Sequence, residues 1–231
     1  MQPGAPASSI DFSVAFVRGS AFGPMAAVQL PGGVEPVTPE ALARLHPEER
    51  ALALGLRGRR QIEFTGGRLA WRALQPAGGP LLTGPNGEPL APAGLSVSLT
   101  HKRDLALAVV ADASAGTLGL DLEGEGRERM TIAERVLRPE ELTAVRALPL
   151  AEQWPAVLLQ FALKEAAYKA IHPHLRRFVG FQEAGVALGD PPRVRIFTRP
   201  DEPALTLEAA WEALPGARVL ALVRARVARS G

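Results

Sequence analysis

Gly119-Leu120-Asp121-Leu122-Glu123 is the stretch from which the rest of the chain is read. With Leu118 before it, the segment alternates apolar and other residues, the pattern of a strand with one face in a core. Side chains two apart share a face of a strand. Leu118, Leu120 and Leu122 therefore turn inward, while Asp121 and Glu123 stand side by side on the opposite face. Two adjacent carboxylates raise each other's pKa unless a cation joins them. Oxygen-only ligands without His or Cys suit Mg²⁺ or Mn²⁺ rather than zinc. A solvated strand face explains the pentapeptide alone equally well, so its meaning depends on what stands elsewhere.

The second informative segment is Phe161-Ala162-Leu163-Lys164-Glu165-Ala166-Ala167-Tyr168-Lys169. On a helix, Glu165 and Lys169 stack one turn apart. Leu158, Phe161 and Ala162 lie on the same side, and Leu159, Leu163, Ala166 and Ala170 cover another. Only Gln160 and Lys164 mark a narrow polar strip. A helix apolar nearly all round is a buried helix. A carboxylate and an ammonium on it are costly unless they are paired or bind something charged. An ordinary i,i+4 salt bridge accounts for the spacing but not for the apolar setting.

Composition narrows the class. The chain has 231 residues, 47% hydrophobic and 22% charged, and no cysteine. A chain of this length buries roughly 70–75% of its unfolded surface and needs no staple. Absence of cysteine removes disulfide frameworks, zinc ribbons, Fe–S clusters and thiol nucleophiles together. The net charge of +2 argues against bulk binding of polyanions, so neither nucleic acid nor a membrane surface is an expected partner. The residues after Met1 show no basic region followed by an apolar block, so no signal peptide is expected. The longest uncharged apolar run, 105–111, is too short to span a bilayer. The expectation is a soluble cytoplasmic protein. Of the 26 basic residues only three are lysine, Lys102, Lys164 and Lys169, and they fall in two short segments. An ammonium and a guanidinium are not interchangeable in a tight site, so these segments stand out before any motif is considered.

Outward from the two motifs, strands are expected over 10–17, 95–100, 105–110 and 118–123. Thr38-Pro39-Glu40 and His46-Pro47-Glu48-Glu49 read as helix starts, with Pro at the first helical position and acids in the first turn. A basic helix runs over 59–74 with Arg59, Arg60, Arg68 and Arg72. Residues 76–92, rich in Gly and Pro, read as loop. Thr131-Ile132-Ala133-Glu134 has the capping-box pattern, Arg138-Pro139-Glu140-Glu141 opens another helix, and 154–171 is one long helix. The tail returns to strands over 186–188, 194–198, 205–211 and 219–227. No short-period repeat is present, which excludes solenoids and propellers. The expected fold class is α+β: two similar halves with pseudo-twofold symmetry, each a small, mostly antiparallel sheet with helices. The boundary is expected at Ala115-Gly116, giving halves 1–114 and 115–231. Two lesser segments remain. Ser98-Leu99-Thr100-His101-Lys102 could contact a phosphate, and the helix carrying Arg60, Gly67 and Arg68 is solvated surface unless a phosphate is independently implied.

These segments, in this order, resemble the 4′-phosphopantetheinyl transferases of the Sfp type, especially the branch of enterobactin-synthetase component D. That family carries a G-x-D-x-E strand followed by a (W/F)-x-x-K-E-(A/S)-x-x-K helix, and both patterns are filled here at every defining position. Arg60-Gln61-Ile62-Glu63-Phe64-Thr65-Gly66-Gly67-Arg68 resembles the basic helix of that branch. Asn86-Gly87-Glu88-Pro89-Leu90 and Ser98-Leu99-Thr100-His101 resemble its G-x-P and S-x-T-H stretches. The resemblance covers residues 45–170. Glu88 stands where many members have lysine, and Val97 precedes the serine where another type is common.

The resemblance implies a 4′-phosphopantetheinyl transferase-like fold that binds coenzyme A between its halves, the nucleotide side in 1–114 and the Mg²⁺-binding and catalytic motifs in 115–231. It implies transfer of phosphopantetheine to a serine of an apo acyl, peptidyl or aryl carrier protein, with release of 3′,5′-ADP. The partners would be carrier proteins or domains of polyketide, nonribosomal peptide or fatty acid synthases. Asp121, Glu123 and Glu165 would hold Mg²⁺, with Mn²⁺ an alternative. Glu165 would accept the serine proton, and Lys169 would meet the leaving phosphate. Arg60, Arg68, His101, Lys164 and Lys169 would contact coenzyme A. The length favours a monomer. Two rival classes use similar residues: a Mg²⁺-dependent phosphohydrolase acting on a nucleotide or coenzyme A pyrophosphate, and a non-catalytic nucleotide-binding module.

Overall fold

The computed structural model describes residues 11–124 and 130–228. Ile10, the first residue of the first expected strand, and the start of the chain read for a signal peptide lie outside the described residues.

The first half opens with the hairpin β1 (Ser13–Ser20) and β2 (Gly23–Gln29). Three helices follow: α1 (Pro39–Ala43), α2 (Pro47–Leu54) and α3 (Gly58–Leu74). The starts read from sequence are used as such. The Thr38 hydroxyl accepts from Ala41 N at 3.3 Å, and Glu49 reaches back to His46 N at 3.0 Å. The Gly/Pro-rich stretch read as loop contains a minimal hairpin, β3 (Leu82–Thr83) with β4 (Pro89–Leu90), turning at Gly87 with φ +87°. Then come β5 (Leu95–Lys102) and β6 (Leu105–Asp112). The four long strands form one antiparallel sheet in the order β1-β2-β6-β5. Helix α3 covers one face, with Ile62, Ala70 and Trp71 packed in a core with Val28, Ala106 and Ala108.

A 3-10 turn, Ala113–Ala115, leads to β7 (Thr117–Gly124). Beyond it lie α4 (Ala133–Val136), α5 (Pro139–Arg146) and the long α6 (Leu150–Leu175). Strands β8 (Ala184–Ala187) and β9 (Arg193–Ile196) form a separate pair. Strands β10 (Leu205–Leu214) and β11 (Arg218–Val227) join β7 in a three-stranded antiparallel sheet, order β10-β11-β7.

Two local expectations are corrected. Thr131 caps no helix: it lies in a 3-10 turn, Met130–Ile132, and α4 starts at Ala133 with no side-chain cap. Helix α6 begins a turn before Trp154, so Pro155 sits inside it and withholds one backbone donor, where sequence reasoning placed the start beside the proline.

The two sheets share a central core. Met25, Leu107 and Val109 from the first half meet Leu118, Leu120, Leu122, Leu220 and Leu222 from the second. The leucines of the alternating strand thus point inward and Asp121 and Glu123 take the other face. On that face lies α6, and Gly119 sets how close it comes. A Cβ at Gly119 would stand 1.8 Å from Ala166 O and 2.8 Å from Ala170 N. The glycine of the motif is therefore there for close approach of a helix backbone to a strand. Because the obstacle is backbone, Gly119→Ala is expected to cost about 3 kcal/mol, the upper end of overpacking. A thermal melt checks it, and an unchanged melting temperature would show that the helix seats differently.

Among the described residues no helix is long and apolar enough to cross a membrane.

Candidate active site

Between the halves lies a cavity of about 340 Å³. Its first wall is α3, through Arg60, Glu63 and Phe64, with the β3–β4 turn at Glu88. Its floor is β5, residues 96–101, beside the start of β7. Its second wall is α6, through Glu165, Tyr168 and Lys169. The site is therefore assembled from both halves, and neither half alone encloses it.

At the α6 side the charged groups are interlocked. Lys169 Nζ donates to Asp121 Oδ1 at 2.7 Å and to Leu120 O at 2.8 Å. The helix lysine thus pairs across to the strand acid and not with Glu165 on its own helix. Asp121 is buried at 7% exposure, and its Oδ2 has no hydrogen-bond partner among the described residues. Glu123 is paired with Lys102 at 2.5 Å. Burial, opposed by Lys102 and reinforced by Asp121, leaves the Glu123 carboxyl above the usual carboxylate range. Burial, then the Asp121 charge, raises Glu165 as well, against the pull of Lys169.

His101, at the end of the β5 floor, and Arg60, on the α3 wall, also face the cavity. His101 Nδ1 lies 3.6 Å from Glu63 Oε1, and Arg59 Nε donates to the same oxygen at 3.3 Å. Burial lowers the His101 pKa despite Glu63, and Arg60 and Lys169 add to the lowering. The imidazole is therefore neutral near pH 7 and can donate one ring N–H to an anion. Arg60 is exposed and also faces the cavity.

The model of the 4′-phosphopantetheinyl transferase superfamily matches residues 117–223, and that of the 4′-phosphopantetheinyl transferase N-terminal domain matches residues 48–111. The 4′-phosphopantetheinyl transferase Npt of Nocardia iowensis is 32% identical over 166 residues, covering 68% of this chain and 73% of that one. The chain belongs to the 4′-phosphopantetheinyl transferase superfamily, Sfp type. Two further relatives are the 4′-phosphopantetheinyl transferases PptT of Mycobacterium tuberculosis and Svp of Streptomyces mobaraensis. PptT is 33% identical over 146 residues, 61% of this chain and 63% of its own; Svp is 32% identical over 170 residues, 66% and 64%. The matched part of the chain thus spans a little under two thirds of these two relatives.

Within this superfamily member two residues expected to contact a ligand are engaged elsewhere. Lys164 is not brought into the large cavity. Its Nζ is buried and donates to Glu141 Oε2 at 2.6 Å, Val136 O at 2.8 Å and Phe181 O at 3.1 Å, which uses all three protons. Its stem borders a smaller cavity of about 160 Å³ with Tyr168 and Phe178. Lys164 ties α6 to α5 and to the loop before β8. Arg68 reaches the large cavity only with part of its side chain. Its guanidinium donates to Leu81 O at 3.1 Å and Thr83 Oγ1 at 2.7 Å and lies over the Phe64 ring. Burial brings its pKa down to about 10, so it remains a cation. It anchors the β3–β4 hairpin that carries Glu88, whose carboxylate accepts from Asn86 N at 2.9 Å.

Replacing Lys164 by methionine is expected to lower stability by about 3 kcal/mol, because it strands Glu141 as a buried acid without its cation. Chemical denaturation measures this. A loss of coenzyme A affinity without loss of stability would return Lys164 to the ligand site.

Sequence reasoning missed Glu63, which partners His101, and the role of Lys102 as the cation on Glu123. It read the hydroxyls of β5 as phosphate contacts, and the structure gives them another partner. Ser98 Oγ accepts from Leu120 N at 2.9 Å and Thr100 Oγ1 from Leu122 N at 3.2 Å, so they serve the strand rather than a phosphate. The period-two recurrence of Ser96, Ser98 and Thr100 in an otherwise apolar strand was the available signal.

No three acidic or imidazole groups among the described residues stand close enough to form a preformed metal cluster. The donor chemistry nevertheless fits a hard divalent cation. Asp121, Glu123 and Glu165 supply oxygens only, the Asp121 charge raises the pKa of the other two, and Asp121 Oδ2 is buried without a donor.

Proposed function

We propose that the chain transfers the 4′-phosphopantetheine group of coenzyme A to a serine hydroxyl of an apo carrier protein and releases 3′,5′-ADP. The observation that carries this reading is the cavity between the halves, lined by Arg60 and His101 and by Glu165 and Lys169, with Asp121 held just behind its lining by Lys169 at 2.7 Å. Such a layout suits an extended ligand with a phosphorylated nucleotide and a second anionic centre. Family membership supports the same reaction.

The reaction is an in-line displacement at the pantetheine-side phosphorus of the pyrophosphate. The serine oxygen forms a bond to that phosphorus, and the phosphorus–oxygen bond to the nucleotide phosphate breaks. Catalysis of this kind is mainly positioning and charge neutralisation. Asp121, Glu123 and Glu165 would hold Mg²⁺, which when bound neutralises pyrophosphate charge. Glu165, held above the usual carboxylate range by burial, is suited to receive the serine proton. Lys169, beside Asp121, places its ammonium where charge develops on the departing nucleotide phosphate. Arg60 and His101, which also line the cavity, take the ribose 3′-phosphate of the nucleotide. Arg68 contributes by holding the hairpin in place.

We read the protein as a cytoplasmic monomer whose acceptors are carrier proteins of polyketide, nonribosomal peptide or fatty acid synthesis. Release of 3′,5′-ADP from coenzyme A, followed with and without an apo carrier protein, tests the reaction. Release that depends on the carrier supports it. Release without a carrier would favour hydrolysis of the pyrophosphate.

A further inference from the structure

Strand β5 is the edge of one sheet and β7 the edge of the other. An unpaired edge needs partners for its backbone N–H groups. Here the two edges are joined by hydroxyls. Leu118 N donates to Ser96 Oγ at 2.9 Å, Leu120 N to Ser98 Oγ at 2.9 Å and Leu122 N to Thr100 Oγ1 at 3.2 Å. Both members advance by two at each rung, so the strands run parallel. All three hydroxyl residues are buried. The seam also floors the large cavity.

The last rung does more than the other two. Thr100 Oγ1, while accepting from Leu122 N, also points its hydrogen at Asp121 Oδ1 across 3.4 Å, a long hydrogen bond that a small shift of the carboxylate on cation binding would shorten. Lys169 Nζ holds the same oxygen at 2.7 Å. Lys169 is the strong donor on Oδ1 and Thr100 the second, more distant one; both address the same oxygen and leave Oδ2 buried with no donor among the described residues. A β-branched side chain on a strand has few rotamers, so threonine holds its hydroxyl in place more firmly than serine.

We propose that Thr100 is the positioning residue of Asp121: its hydroxyl, together with Lys169, immobilises Oδ1 so that Oδ2 is the oxygen presented to a divalent cation. The inference rests on the reading of Asp121 as a cation ligand. Thr100 acts through Asp121 and touches neither cation nor reacting atoms. The partners that orient a ligating side chain typically change metal affinity by roughly 10- to 100-fold when removed.

The test is calorimetric titration of the full chain with Mn²⁺ in the absence of coenzyme A, after a thermal melt shows each variant folded. Thr100→Val and Thr100→Ala are expected to weaken Mn²⁺ roughly 10-fold. Thr100→Ser, which keeps the hydroxyl, is expected to recover most of that loss. Ser96→Ala removes a rung of the same seam two rungs away from the carboxylate contact at Thr100. It is expected to lower the melting temperature and leave Mn²⁺ affinity unchanged. Wild-type affinity in Thr100→Val and Thr100→Ala would overturn the proposal. So would an equal loss in Ser96→Ala, since the seam would then act as general scaffold. Wild-type protein that binds no Mn²⁺ overturns it too. Carrier modification by the wild type is assayed separately. Absence of transfer with this pattern of Mn²⁺ affinities would sink the proposed reaction and leave the role of Thr100 standing.

Discussion

Asp121→Ala is expected to reduce phosphopantetheine transfer about 10³-fold or more while the protein stays folded. Loss of a cation that stabilises transition-state charge costs several kcal/mol, and each 1.4 kcal/mol is about tenfold in rate. The fold should tolerate the change because opposing effects meet at this residue. Its carboxylate raises the pKa of both Glu123 and Glu165, which is repulsion that its removal relieves. Against this, Lys169 loses its pair but keeps Leu120 O as an acceptor. With these effects opposed, the net change is expected to be a loss of about 1 kcal/mol, the centre of the range for single substitutions. Turnover against Mg²⁺ concentration, with a melt of the same sample, checks both parts. Near-normal turnover at low Mg²⁺ would show that Asp121 is not a ligand.

Lys169→Arg is expected to lower kcat by about 10²-fold, the scale of losing a positioned proton donor, with a smaller change in coenzyme A affinity. A chain that uses arginine for 23 of its 26 basic residues has kept lysine here. The setting explains why. The ammonium sits between Asp121 Oδ1 at 2.7 Å and Leu120 O at 2.8 Å, beneath a helix that Gly119 brings into backbone contact. A guanidinium is wider, planar and holds its proton too firmly to give it up. Because the interaction strengthens as charge develops on the leaving phosphate, the loss should fall on kcat rather than on binding. Arg60→Lys is the contrast: exposed on the α3 wall of the cavity, it should weaken coenzyme A binding and leave kcat nearly intact. Wild-type turnover in Lys169→Arg would reduce this lysine to a structural ion pair.

Much of this was legible in the sequence because it obeys simple periods. The alternation at 118–123 placed three leucines in the shared core and two acids on the opposite face. Proline after Thr38, His46 and Arg138 marked three helix starts. What escaped was set by contacts between distant segments. Lys164 and Lys169 occupy one helix five residues apart, and no helical period says that one will be buried on Glu141 and the other will reach Asp121. Glu63 is an unremarked acid in a basic helix until the fold brings it 3.6 Å from His101. The serine and threonine hydroxyls of β5 read in sequence as phosphate contacts. Only the meeting of two sheet edges shows that they substitute for a strand's backbone partners. The start of α6 was misplaced because Pro155 carries a local preference that packing of the long helix overrides.

The most direct test of the account is the intact mass of an apo carrier protein after incubation with the full chain, coenzyme A and Mg²⁺, beside the same carrier with its acceptor serine changed to alanine. The account predicts a gain of one phosphopantetheine on the serine carrier and none on the alanine carrier. An unmodified serine carrier, with coenzyme A intact or cleaved by water, would contradict it.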